Sequence, residues 1–225
     1  GPRRPDRYRP SGRHVGHYRH DLKRINVHGM TGSAHKFHGP KGVGFKYIRK
    51  DRKISPFVYG GSQERNMRGG TENVYGIIGL AKALEIAYRD MDEHRRYITS
   101  LKKRMIEKLR IAIPDVSFHG DSANIESSLY TVLNVSLPEA DENNMLLFNM
   151  DLQGISVSGG SACSSGATQG SHVLAALYPG SKRGAVRFSF SKYNTPEEID
   201  LAVNKLAELT GVLSSASPKI SPDHS

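Results

Sequence analysis

The chain has 225 residues, 37% of them hydrophobic, and a formal net charge of +10. This suits one large or two small domains, and no apolar run approaches the ~18 residues that a membrane-crossing helix needs. A single cysteine excludes an intrachain disulfide and, with no secretory signal recognisable, the expected setting is a reducing one, the cytoplasm.

The charge is unevenly placed. Residues 1–24 carry eight Arg and Lys side chains against Asp6 and Asp21, which accounts for six of the ten net charges. Residues 1–14 are rich in Arg, Pro and Gly and almost free of aliphatic side chains, so they are expected to be a loose basic arm. Such an arm reads either as a solvated terminus or as a contact for nucleic acid. A folded pattern starts near Val15.

Val43–Ile48 alternates and is bounded by glycines, which predicts a strand. Residues 50–70 read as loop. From Thr71 to about Asp90 the apolar residues Val74, Ile77, Ile78, Ala81, Leu84 and Ala87 fall at helical spacing, with Thr71 as the expected N-cap. A second helix is predicted from about Asp92 to Ile111, with Ile98, Leu101, Met105 and Leu109 as its apolar stripe and charge on its outer face; Pro114 ends it. Strands are predicted at Val116–Phe118, Leu129–Leu137, Ile155–Val157 and Ala185–Phe190, and helices at Glu142–Leu152 and Ser171–Leu177. The string NTPEEID opens the last helix, with Thr195 at the N-cap, Pro196 at N1 and Glu198 at N3. This alternation predicts a small α/β domain after residue 92. The tail beyond residue 213 is polar.

Four segments carry chemistry. In SAHKFHGPKG (33–42), Lys36 lies close to His35 and His38, and a lysine held beside cationic groups can act as a Schiff-base amine. GGSQERNMRGGT (60–71) joins glycines, arginines and a threonine ahead of a helix, a pattern suited to anions. In GGSACSSG (159–166), Cys163 has only small neighbours, the setting of an accessible thiol rather than a core cysteine. Arg187 sits in the apolar strand VRFSF, where its fork needs a carboxylate or a structural partner. No spacing of His and Cys suits a metal, and none is expected.

In this order the lysine flanked by histidines, the ERNMRGGT loop, the GSACSSG loop and the ending RFSFSKYNTPEEID resemble the cysteine desulfurases of the class with the longer cysteine loop, over roughly residues 15–213. The resemblance implies a partial fold-type-I pyridoxal-phosphate transferase. It has a remnant of the large cofactor-binding domain at 15–92 and a small C-terminal α/β domain at 93–213, flanked by a non-native or disordered arm (1–14) and a disordered tail (214–225). It also implies a homodimer that removes sulfur from L-cysteine, giving L-alanine and a persulfide on Cys163. The persulfide would pass to an acceptor protein of iron–sulfur cluster biogenesis or tRNA thiolation.

By the same resemblance Lys36 holds the pyridoxal 5′-phosphate, Ser33 and His35 contact its phosphate, Thr71 reaches the phosphate of the neighbouring subunit, and Arg187 clamps the substrate carboxylate. The family usually has a longer N-terminal part ahead of the lysine. In register from Val15-Gly16, Pro10 falls where the family carries the aspartate that pairs with the pyridine nitrogen, and Arg13 where it carries a glutamine. Neither side chain does the expected job, so two further readings stand beside the enzyme: an inactive fragment of the family, and a basic module for nucleic acid or a protein partner.

Overall fold

The computed structural model describes residues 8–10, 14–139, 145–159 and 171–211. The chain divides into two compact units, Gly1–Glu93 and His94–Ser225.

The first unit is built on a three-stranded sheet in the order β1-β2-β3. β1 (Tyr8–Pro10) runs parallel to β2 (Gly29–Ser33), pairing Tyr8 with Gly29 and Pro10 with Thr31. β2 runs antiparallel to β3 (Gly44–Ile48), from Gly29 opposite Ile48 to Ser33 opposite Gly44. The expectation of a loose arm over residues 1–14 is corrected at Tyr8–Pro10, which pair with β2 through the main chain. β2, with the sequence GMTGS, has no strand signature of its own and arises from pairing; a Cβ on Gly32 would lie 2.4 Å from the Phe45 ring directly opposite.

A one-turn 3-10 helix, Ala34–Phe37, links β2 to β3. The stretch read as loop from 50 to 70 contains a parallel bridge between Val58 and Arg68 and a single turn, α1 (Gln63–Asn66), in which Glu64, Arg65 and Asn66 all take left-handed φ. α2 (Val74–Arg89) starts later than expected. Its N-cap is Asn73, whose Oδ1 accepts from Gly76 N at 3.1 Å, and not Thr71. Both residues are good caps, and the one beside the first closed turn wins. Val15, Met30, Ala34 and Phe37 form the buried cluster, backed by Phe45, Tyr47, Leu80, Ala83, Leu84 and Ala87. Of the expected α2 stripe only Leu84 and Ala87 are therefore used; Val74, Ile77, Ile78 and Ala81 remain exposed.

The second unit carries the antiparallel sheet β4-β5-β6. β4 is Ser117–Phe118, β5 is Val132–Leu137 and β6 is Gly184–Ser189, with Asn134 opposite Arg187. α3 (Met91–Ala112) buries Ile98, Leu101, Met105 and Leu109, the stripe expected of it. Its charged side is not uniformly outward, because Lys102 is fully buried. α4 (Leu146–Leu152) packs against α6 (Pro196–Leu209). Between them in sequence lies α5 (His172–Leu177), whose N-cap Ser171 accepts from Leu174 N. The strand expected at Ile155–Val157 shrinks to one antiparallel bridge between Ser158 and Arg187. Arg104 and Lys108 on α3 both reach Asp200 on α6, at 2.6 and 2.8 Å.

Candidate functional site

Lys36 sits on the 3-10 turn between residues whose side chains lock the turn to the core. Ala34 and Phe37, at 0% and 2% exposure, point inward, while His35 and Lys36 between them are exposed. A turn of three residues per revolution cannot bury four consecutive side chains on one side, so anchoring the first and fourth residues presents the middle pair to solvent. The turn is pinned at its start, where Ala34 N donates to Val43 O at 3.0 Å, and near its end, where Gly39 N donates to Ala34 O at 2.9 Å. His38 closes it in a left-handed conformation at φ 65°. α2 lies behind: Ala83 approaches Gly39, and Gly79 passes beneath the Pro40 ring, where a Cβ would come within 2.6 Å.

Three of the expected site residues are therefore gathered on one short segment. Ser33, the last residue of β2, occupies the N-cap position of the turn and makes no capping bond with its hydroxyl. His35 and Lys36 follow within three residues. Thr71 is exposed, three residues ahead of α2. All four belong to the first unit.

Arg187 belongs to the second unit, half-buried on β6. Its main chain exchanges two hydrogen bonds with Ser158: Arg187 N donates to Ser158 O at 2.6 Å, and Ser158 N to Arg187 O at 3.2 Å. The segment leading into GGSACSSG is thus laced to the strand that carries the arginine. Cys163 itself lies outside the described residues, as does Arg13. Ser158 carried no sequence signal, since its role depends on a pairing 29 residues away.

Pyridoxal phosphate has three ends to be held. Its aldehyde needs an accessible amine on a fixed backbone, which the exposed Lys36 on its anchored turn offers. Its phosphate needs short polar groups close to that amine, and Ser33 and His35 fit. Its pyridine nitrogen needs an acidic partner. The position that the resemblance gives to that partner is Pro10, at the end of β1 beside Thr31, and a proline ring has no acceptor atom in any orientation. Lys36, Ser33 and His35 suit the first two ends, and Pro10 does not suit the third. Among the described residues, no group of three or more His, Cys, Asp or Glu is placed to hold a metal ion.

Residues 12–202 match the model of the family described as aminotransferase class-V. Over 206 residues the chain is 40% identical to a cysteine desulfurase IscS of Dictyoglomus turgidum, covering 91% of this chain and 51% of that protein. It is 36% identical over 207 residues to the cysteine desulfurase NifS of Azotobacter vinelandii, covering 91% and 50%. Among solved structures, a NifS-like protein superposes with a TM-score of 0.78 at 35% identity, covering 92% of this chain and 52% of the other. A NifS-like protein from Rickettsia africae gives 0.79 at 26% identity, covering 91% and 53%. The chain spans about half the length of the relatives it matches, and its fold is a partial fold-type-I transferase fold. By sequence and by fold, this chain belongs to the aminotransferase class-V family.

Proposed function

We propose that the chain is the lysine- and cysteine-bearing portion of a pyridoxal-phosphate-dependent cysteine desulfurase. The observation that carries this reading is Lys36: an exposed amine on a turn whose flanking side chains are buried, with Ser33 and His35 beside it. It occurs in a chain 36–40% identical to proteins named cysteine desulfurases.

The resemblance implies the roles, and the side chains present suit them. Lys36 Nζ would hold the cofactor at its aldehyde carbon, and would take up or return a proton at the substrate's α-carbon. Ser33 and His35 bind the phosphate. Arg187 orients the L-cysteine carboxylate through its two-pronged fork. The Cys163 thiolate bonds to the substrate sulfur as the carbon–sulfur bond breaks; the bonding pair stays with carbon, which gains a proton. The products are L-alanine and a Cys163 persulfide. When bound, pyridoxal phosphate supplies the electron sink conjugated to the substrate amine. A sulfur-acceptor protein in the cytoplasm then takes the outer sulfur, and Thr71 serves the neighbouring subunit of a homodimer. Because Pro10 brings no carboxylate, full turnover would call for an acidic group from another position.

The test is incubation of the purified chain with pyridoxal phosphate, borohydride reduction and peptide mapping. Label concentrated on Lys36, and lost in Lys36→Ala, is the expected result. Label spread over the exposed lysines in proportion to their accessibility would sink the reading.

A further inference from the structure

We propose that His17 is a positioning residue for Lys36: its imidazole caps the open carbonyl end of the turn that presents the lysine. The last carbonyls of any short helix have no partner within it and must find one elsewhere. In the turn Ala34–Phe37, the Ala34 carbonyl is answered by Gly39 N. The Lys36 carbonyl is answered from 19 residues upstream, by His17 Nε2 at 3.3 Å. Since a carbonyl oxygen only accepts, Nε2 carries the hydrogen.

His17 reaches that oxygen on a built support. His17 N and Tyr18 N both donate to His14 O, at 3.0 and 2.9 Å, closing a tight turn. Val15, inside that turn, is 2% exposed and belongs to the same buried cluster as Ala34 and Phe37. Gly16, between them, has φ +82°, and a Cβ there would lie 2.4 Å from Phe37 Cβ. The backbone of residues 15–17 is thus pressed against the turn at a separation that only glycine permits.

The consequence is local and specific. Holding the Lys36 carbonyl fixes the peptide plane that follows the lysine, and with it the direction in which its Cα–Cβ bond leaves the turn. Lys36 is exposed, so its backbone is the principal guide for its side chain. The capping contact stands by itself; its meaning for cofactor capture rests on Lys36 being the cofactor lysine, as proposed above.

Two variants and two readouts separate these levels. His17→Ala removes the donor, while His17→Gln places an amide nitrogen near the position of Nε2. Hydrogen exchange is followed at the amides of residues 37–39 in the chain without added cofactor. The rate of borohydride-trapped labelling of Lys36 by pyridoxal phosphate is followed relative to the other lysines. The expected result is about three- to tenfold faster exchange in His17→Ala, the effect of one lost hydrogen bond, with slower Lys36 labelling, and return of both toward the parent in His17→Gln. Unchanged exchange in His17→Ala overturns the cap. Equal damage from Gln and Ala also overturns it, because the ring's packing would then matter and not its N–H. If the parent chain takes no label on Lys36 while the exchange pattern follows the expected order, the cap is upheld and the cofactor reading fails.

Discussion

A lysine ammonium withdrawn from water must have acceptors for its N–H groups, and Lys102 has two. Its Nζ donates to Ser128 Oγ at 2.7 Å and to Leu129 O at 3.0 Å, with the residue fully buried. Both acceptors are neutral, so the charge is solvated but not balanced, and burial lowers its pKa from 10.5 to about 8. Since the folded pKa lies below the unfolded one, the folded chain sheds this proton first. The cost of the buried charge is present in full below about pH 8 and fades as pH rises from there toward 10.5. Stability contributed at this site therefore increases with pH across that window. In denaturant titrations at about pH 7 and about pH 9.5, the parent chain gains stability relative to Lys102→Met on going to the higher pH. Parallel profiles would show that Lys102 is not buried charged. In the sequence, Lys102 is one of many cations on α3 and reads as part of a solvated face. Its partners are 26 and 27 residues away, beyond what helical spacing can reveal.

At the scale of elements, local signals were legible and pairings were not. The last helix is the clearest case. Thr195 Oγ1 accepts from Glu198 N, the Glu198 carboxylate accepts in return from Thr195 N, and Pro196 stands at N1, as the string NTPEEID predicts. All the atoms of that signal lie within four residues. Removing the cap with Thr195→Ala should cost about 1 kcal/mol of stability in urea unfolding, and a change within error would mean that the buried Ile199, Val203 and Leu206 alone hold α6 in place. The clamp between α3 and α6 was invisible by contrast. Hydrogen bonds from Arg104 and Lys108 hold the Asp200 carboxyl well below the usual carboxylate range. A depressed carboxylate stabilises above its unfolded pKa and loses that contribution as pH falls through the folded one. Asp200→Asn should therefore flatten the loss of stability as pH falls below about 4, and an unchanged acid limb would discount the clamp. β2 belongs with the clamp: two glycines in five residues conceal a central strand that only β1 and β3 define. The lysine turn was half legible, its chemistry from the motif and its cap by His17 only from the fold.

For the molecule as a whole, the two units differ in how their side chains are used. The second unit has Leu101, Met105, Leu109, Leu133, Val135, Leu137, Met150, Val186, Val203 and Leu206 at 1% exposure or less. The first has a cluster of four buried residues and leaves Phe57 at 94%, Tyr59 at 80%, Tyr75 at 85% and Ile78 at 64% exposure. Periodicity placed Ile78 on the apolar stripe of α2, and spacing reports which residues share a face, not whether anything covers that face. Burial of apolar surface is the main source of stability, so local opening should be easier in the first unit. In native-state hydrogen exchange, the amides of β2, β3 and α2 should exchange at least about tenfold faster than those of β5, β6 and α6. Addition of pyridoxal phosphate should narrow the gap selectively at residues 33–39, because a ligand that binds only the folded form stabilises what it touches. Uniform slow exchange in both units would mean that the exposed face of α2 costs the chain nothing and that the two units open together. Slowing of β5 and β6 rather than the lysine turn would place the cofactor's grip in the second unit and not on Ser33, His35 and Lys36.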